Sequence, residues 1–253
     1  MTQQRPRVGL FVTCLVDLVR PQVGFAAVKL LEVAGCDVEV PPMQTCCGQP
    51  AWNAGADGHA ADIARNVIDA FEPYDYVVAP SGSCAGMLRR HYPEVLAGDA
   101  NYLAKARALA AKSHELLSFL VRVRGVKDVA AKYAGAVCYH DSCSSLREMG
   151  VKDEPRQLLA GVAGLSLNAL KEPQVCCGFG GLFSVKYPEI SERMADDKIA
   201  DALSTGADTL TGGDLGCLLH LAGRMEREGR PMHVRHVAEI LADMGGTPAL
   251  GES

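Results

Sequence analysis

The chain has 253 residues, 48% hydrophobic and 22% charged, which is ordinary for a water-soluble globular protein and long enough for one large domain or two small ones. A formal net charge of −5 disfavours a nucleic-acid binder, whose affinity needs a basic face. No apolar run approaches the roughly 20 residues of a membrane-spanning helix, so no transmembrane segment is expected.

In chain order, Met1 to Arg7 lead straight into the apolar run Val8–Val12, which is too short for a signal-peptide core and reads as a buried strand. A cytoplasmic location is therefore expected. Cys14 stands just past that strand. Pro21 to Ala34 reads as a helix, with proline early and Gly35 beyond its end. A short strand, Val38–Val40, runs into Pro41-Pro42 and the tripeptide Cys46-Cys47-Gly48. Trp52 and Asn53 then read as loop packing. His59–Phe71 has Ile63, Val67 and Phe71 at helical spacing. Tyr76–Ala79 reads as a strand, and Cys84 follows in a Pro-Ser-Gly-Ser turn that opens another helix. One long helix is expected over about Tyr102–Arg122. The order then recurs: strand Ala136–Tyr139, helix Glu154–Ala160, strand Leu165–Leu170, helix Ser191–Ser204, strand Asp208–Thr211, helix Leu215–Arg227 and a last helix near Val237–Met244. Arg224–Arg230 reads as a solvated helix face.

The ten cysteines organise this pattern. Two Cys-Cys-Gly tripeptides occur, at Cys46-Cys47-Gly48 and Cys176-Cys177-Gly178. A single upstream cysteine precedes each pair, by 32 positions from Cys14 to Cys46 and 33 from Cys143 to Cys176. A downstream cysteine follows each, by 37 positions from Cys47 to Cys84 and 40 from Cys177 to Cys217. Four cysteines in one order at matched spacing, twice, indicate an internal duplication. The expected fold class is α/β: two duplicated parallel-sheet half-domains, 1–130 and 131–253, related by pseudo-two-fold symmetry. In parallel sheets the loops beyond the strands' carboxyl ends gather on one edge. All eight repeated cysteines sit in such loops, so four thiols should converge in each half.

Widely spaced thiols in a reducing compartment point to metal or redox chemistry rather than to a disulfide framework. An iron–sulfur cluster takes about four cysteine thiolates, and each half supplies four. Cofactor and metal ligands are therefore expected at Cys14, Cys46, Cys47 and Cys84, and at Cys143, Cys176, Cys177 and Cys217. Gly48 and Gly178 are expected to let backbone approach a bulky cluster. Cys84 and Cys217 lie near helix starts, where the dipole favours thiolate. Structural zinc is the rival, but neither half contains the Cys-x-x-Cys pair that zinc sites usually use. Cys36 and Cys138 fall outside the repeat and read as small buried hydrophobes. His140 and His220 could touch a cluster or relay protons, or be hydrogen-bonded structural histidines. Ser81 and Asp214 read as helix caps.

Five stretches carry a family resemblance: Leu10-Phe-Val-Thr-Cys-Leu-Val-Asp17, Cys46-Cys-Gly-Gln-Pro50, Pro80-Ser-Gly-Ser-Cys84, Tyr139-His-Asp-Ser-Cys143 and Cys176-Cys-Gly-Phe-Gly-Gly181. They resemble the cysteine-rich CCG domain superfamily, which includes the B subunit of heterodisulfide reductase. The nearest branch is the lactate utilization protein A family, and the likeness covers essentially the whole chain. The resemblance implies an iron–sulfur redox subunit, an oxidoreductase component, in the oxidation of L-lactate to pyruvate. It implies one or two clusters of 4Fe-4S type per chain. It also implies two partners, lactate utilization proteins B, with ferredoxin-type clusters, and C. In heterodisulfide reductase B each motif ends in Cys-x-x-Cys. Here the first cysteine of that pair is replaced by Ser81 and by Asp214, so a five-thiolate site is not available within either motif. A thiol–disulfide reductase subunit and a zinc-stabilised interaction module are the alternatives. The sequence offers no clear base for lactate, His140 being the nearest to one.

Overall fold

The structure is a computed structural model, and it describes residues 5–230 and 232–252. The chain divides into two compact units, one ending at Gly125 and one beginning at Val126. In the first, β1 (Arg7–Leu10), β2 (Asp37–Glu39), β3 (Tyr76–Ala79) and β4 (Ser113–Glu115) form a parallel sheet in the order β2-β1-β3-β4. Val8, Leu10, Val77 and Val78 are buried, as central parallel strands require. The helix Asp57–Phe71 buries Ala60, Ala64, Val67, Ile68 and Phe71, a stripe at helical spacing. Phe71 meets Phe11 with ring centroids 5.5 Å apart. The helix Pro21–Val33 starts with proline, whose missing N–H costs nothing at that position.

The second unit repeats the plan. β5 (Lys132–His140), β6 (Ala163–Asn168), β7 (Thr209–Gly212) and β8 (His233–His236) form a parallel sheet in the order β6-β5-β7-β8. The helix Pro188–Ser204 buries Ala195, Lys198, Ile199 and Ala202. The helix Leu215–Arg227 buries Leu218, Leu221, Ala222 and Met225, with Arg224 on its polar side paired to Asp196 at 2.8 Å. Two similar α/β halves, each built on a four-stranded parallel sheet, are thus the observed architecture.

The long helix expected over Tyr102–Arg122 is not continuous. A helix covers Leu103–Lys112, then the chain extends into β4, and helical turns resume at Leu116. β4 and β8 are both absent from the sequence-based expectation for the same reason. Ser113-His-Glu115 and His233-Val-Arg-His236 carry polar side chains and show no apolar alternation. Their terminal residues are polar because they cap the helices that follow. Glu115 accepts from the Ser118 amide at 2.8 Å. His236 Nδ1 accepts from the Ala238 amide at 3.2 Å, while Glu239 accepts from the His236 amide at 3.1 Å. Strand identity is set here by pairing and capping rather than by hydrophobic pattern. Trp52, expected in a loop, lies in the short helix Gln49–Asn53, its ring 6.0 Å from that of His91.

If the cap fixes the end of β4, Glu115→Ala will lower stability by about 1–2 kcal/mol in urea unfolding, and Glu115→Gln, which keeps an acceptor oxygen, by less.

Candidate metal centre

Each thiol is placed by a strand end and, for three of the four positions, by a helix start or a left-handed glycine. In the first unit, Thr13 caps the helix Cys14–Val19, its hydroxyl accepting from the Val16 amide at 3.3 Å, which sets Cys14 as the first helical residue. Cys46 and Cys47 lie in the loop after β2, closed by Gly48 at φ 83°. Ser81 caps the helix Gly82–Gly86 and receives the Cys84 amide at 3.5 Å. The sulfurs of Cys14 and Cys46 are 3.9 Å apart. Cys46 is also hydrogen-bonded to Cys47, and Cys47 to Cys84, so side-chain hydrogen bonds link the four free thiols in one chain.

The second unit builds the same chain. Ser142 caps the helix Cys143–Arg147, accepting from the Ser145 amide at 3.2 Å. Cys176 is hydrogen-bonded to Cys143 and Cys177, and Cys177 to Cys217. The Gly178 amide donates to Cys176 Sγ at 3.4 Å. Cys217 enters the first turn of the helix Leu215–Arg227. All eight repeated cysteines are thus brought into two groups of four. Cys47, Cys84, Cys177 and Cys217 are buried, and the other four are half-buried.

The electrostatics repeat as well. The Cys46 thiol is drawn down to about 2, first by hydrogen bonds with Cys14 and Cys47 and then by the Gly48 and Cys47 amides, against the cost of burial. Cys176 is likewise drawn down to about 2 by Cys143 and Cys177. Their neighbours Cys14, Cys47, Cys143 and Cys177 are pushed up, chiefly because they give hydrogen bonds to the thiolate. One thiolate between two thiols is a set that exchanges protons for a thiophilic metal. Soft sulfur donors of this kind suit iron–sulfur clusters and zinc and are poor ligands for hard ions such as magnesium.

Cys36 and Cys138 stand apart, fully buried among core side chains. Burial raises both thiols, Cys138 to about 11. The two histidines separate. His220 Nε2 lies 3.2 Å from the Ser191 hydroxyl, the place of a structural histidine. His140 is buried, and neither of its ring nitrogens has a hydrogen-bond partner among the described residues. The two cap positions also separate. Ser81 caps, whereas the Asp214 side chain makes no cap hydrogen bond.

The role expected for Gly48 and Gly178 needs correction. A Cβ on Gly48 would lie 3.2 Å from Ile63 Cγ2, and one on Gly178 only 2.4 Å from the Ser191 carbonyl oxygen and 2.9 Å from Met194 Cβ. Their absent side chains make room for the unit's own helix, and both residues hold left-handed backbone. Two residues missed by sequence reasoning pin the same loops. The buried Tyr92 hydroxyl donates to the Cys47 carbonyl at 3.0 Å, and the Ser191 hydroxyl donates to the Gly178 carbonyl at 2.8 Å. Neither carries a motif, and only the fold brings them to the cysteines.

Comparison with known proteins matches this arrangement. The cysteine-rich CCG domain family matches the chain twice, at residues 8–89 and 137–222. The chain is 51% identical to lactate utilization protein A of Geobacillus kaustophilus (strain HTA426), over 93% of this chain and 98% of that protein. It is 47% identical to lactate utilization protein A of Bacillus cytotoxicus over the same shares. Among solved structures, a hypothetical protein from Helicobacter pylori superposes with a TM-score of 0.67 at 12% identity. The match covers 97% of this chain and 50% of that one, a likeness of fold.

Gly178→Ala is expected to cost roughly 2–4 kcal/mol, since it adds left-handed strain to a collision with backbone. Gly206→Ala, with φ 67° but open space around it, should cost only about 1 kcal/mol. Thermal unfolding of the two variants checks the difference.

Proposed function

The chain belongs to the lactate utilization protein A family of CCG-domain proteins, and on that premise we propose that it is an iron–sulfur redox subunit in the oxidation of L-lactate to pyruvate. The observation that carries this reading is the connected chain of four thiols, built twice from the same strand ends. Cys14, Cys46, Cys47 and Cys84 hold one group, and Cys143, Cys176, Cys177 and Cys217 hold the other. Clusters of 4Fe-4S type accept and release single electrons. Oxidation of L-lactate to pyruvate releases two electrons and two protons, so a chain with two one-electron sites matches the stoichiometry. The electrons then leave to a partner carrying ferredoxin-type clusters, the B protein of the system, with the C protein as the third component. Work inside the cytoplasm fits eight thiols kept unpaired.

This chain's own residues set the conditions for that chemistry. Burial of Cys47, Cys84, Cys177 and Cys217 keeps water from half of each donor set. The half-buried Cys14, Cys46, Cys143 and Cys176 leave each group one face open to a partner. Tyr92 and Ser191 hold the Cys-Cys-Gly loops rigid through their carbonyls.

One observation favours a second reading, a zinc-stabilised interaction module. The 3.9 Å between Cys14 and Cys46 sulfurs is close to the ~3.8 Å that two thiolates share on one tetrahedral zinc with bonds of ~2.3 Å. The wide sequence spacing of the cysteines argues against it.

The test is reconstitution under anaerobic conditions with the B and C proteins. L-Lactate should reduce an artificial acceptor and yield pyruvate, with Cys176→Ala losing the activity and Cys36→Ala keeping it. A complex that forms but leaves lactate untouched would refute the proposal.

A further inference from the structure

The two thiol groups are alike in sulfur and unlike in everything around it. The contact made by each Cys-Cys-Gly loop fixes the register between the units. Gly48 faces Ala60 and Ile63, and Gly178 faces Ser191 and Met194, one turn apart in each helix. Four residues further along those helices stand Val67 and Lys198, both buried. Three residues before the first repeated cysteine of each unit, Cys14 and Cys143, stand Phe11 and His140, both buried. An apolar pair in the first unit is thus a histidine and a lysine in the second.

The lysine is accounted for, because its ammonium donates to the Glu172 carbonyl. The histidine is not. A buried imidazole with both nitrogens unsatisfied has given up water with no hydrogen bond among the described residues in return. Phe11, in contrast, packs on Phe71 with no polar atom to satisfy. His140 has not lost contact with polar groups altogether. One of its ring nitrogens and the sulfurs of Cys177 and Cys217 all lie within 4.8 Å of one another.

We propose that His140 is a metal ligand of the second unit, which therefore holds its metal group through imidazole nitrogen together with cysteine sulfur, while the first unit binds through sulfur alone. The inference rests on the reading that the thiol groups hold metal. A neutral imidazole offers a metal the lone pair of one ring nitrogen. Where the imidazole takes the place of one of the four cysteine sulfurs at the metal, the ligand set loses a negative charge and the reduction potential of an iron–sulfur site rises. The second unit is then the higher-potential site, and an electron entering the chain settles there.

The experiment uses the full chain, loaded anaerobically with iron and sulfide and labelled with 15N-histidine. Pulsed EPR should show a directly bound nitrogen whose coupling scales with the isotope. It should survive Cys46→Ala, which disables the first unit. It should vanish in Cys176→Ala, which disables the second, and in His140→Phe, which copies Phe11. His140→Cys should retain metal, lose the nitrogen coupling and titrate at lower potential than the parent chain. If the bound metal is zinc, absorption at the zinc edge reads imidazole scattering in the same variants. A second unit that holds metal but shows no histidine nitrogen overturns the ligand assignment alone. A second unit that holds no metal overturns it together with the reading beneath it.

Discussion

Everything in this chain depends on bringing four sulfurs into contact from residues scattered over about seventy positions, and parallel strand pairing is what does it. β1, β2 and β3 point the same way, so the segments that leave them start from one edge. Cys14 leaves the middle strand, while the Cys-Cys pair and Cys84 leave its two neighbours. The second unit repeats this with β5 between β6 and β7. Side-chain hydroxyls then fix where each backbone stops being strand. Thr13, Ser81 and Ser142 cap the short helices that carry Cys14, Cys84 and Cys143. Within each group the hydrogen bonds run through Cys46 or Cys176, whose thiol they draw down.

Much of this was legible in the sequence because the cysteines are a repeat with its own ruler. Matched spacings located both groups, and apolar runs located six of the eight strands. The helices Glu154–Ala160 and Leu215–Arg227 fall where their periodicity puts them. What could not be read is where polar atoms do structural work. β4 and β8 have no apolar alternation, because Glu115 and His236 serve the next helix instead of the core. Tyr92 and Ser191 reach the Cys-Cys-Gly carbonyls from 45 and 13 positions away, a distance that no local pattern encodes. Gly48 and Gly178 were legible as necessary but for the wrong neighbour, since a missing Cβ does not say which side it serves. His140 and His220 looked equivalent in sequence. Only their surroundings separate a satisfied imidazole from an orphaned one.

Duplication followed by divergence explains why the halves share cysteines, strand order and the cap before the first repeated cysteine yet differ nearby. Sulfur positions are constrained by the group they hold, and the surrounding shell is free to set its properties. Phe11, Val67 and Ser81 give the first group an apolar and neutral setting. His140, Lys198 and Asp214 give the second a charged and polar one.

The central claim is that both thiol groups hold iron and sulfide. The most direct measurement is the content of iron, acid-labile sulfide and zinc per chain in protein purified without oxygen. The account predicts about eight irons with matching sulfide and no zinc, as two four-iron clusters require. Zinc at about two per chain without sulfide would contradict it, and would make the same eight cysteines a structural scaffold rather than a redox one.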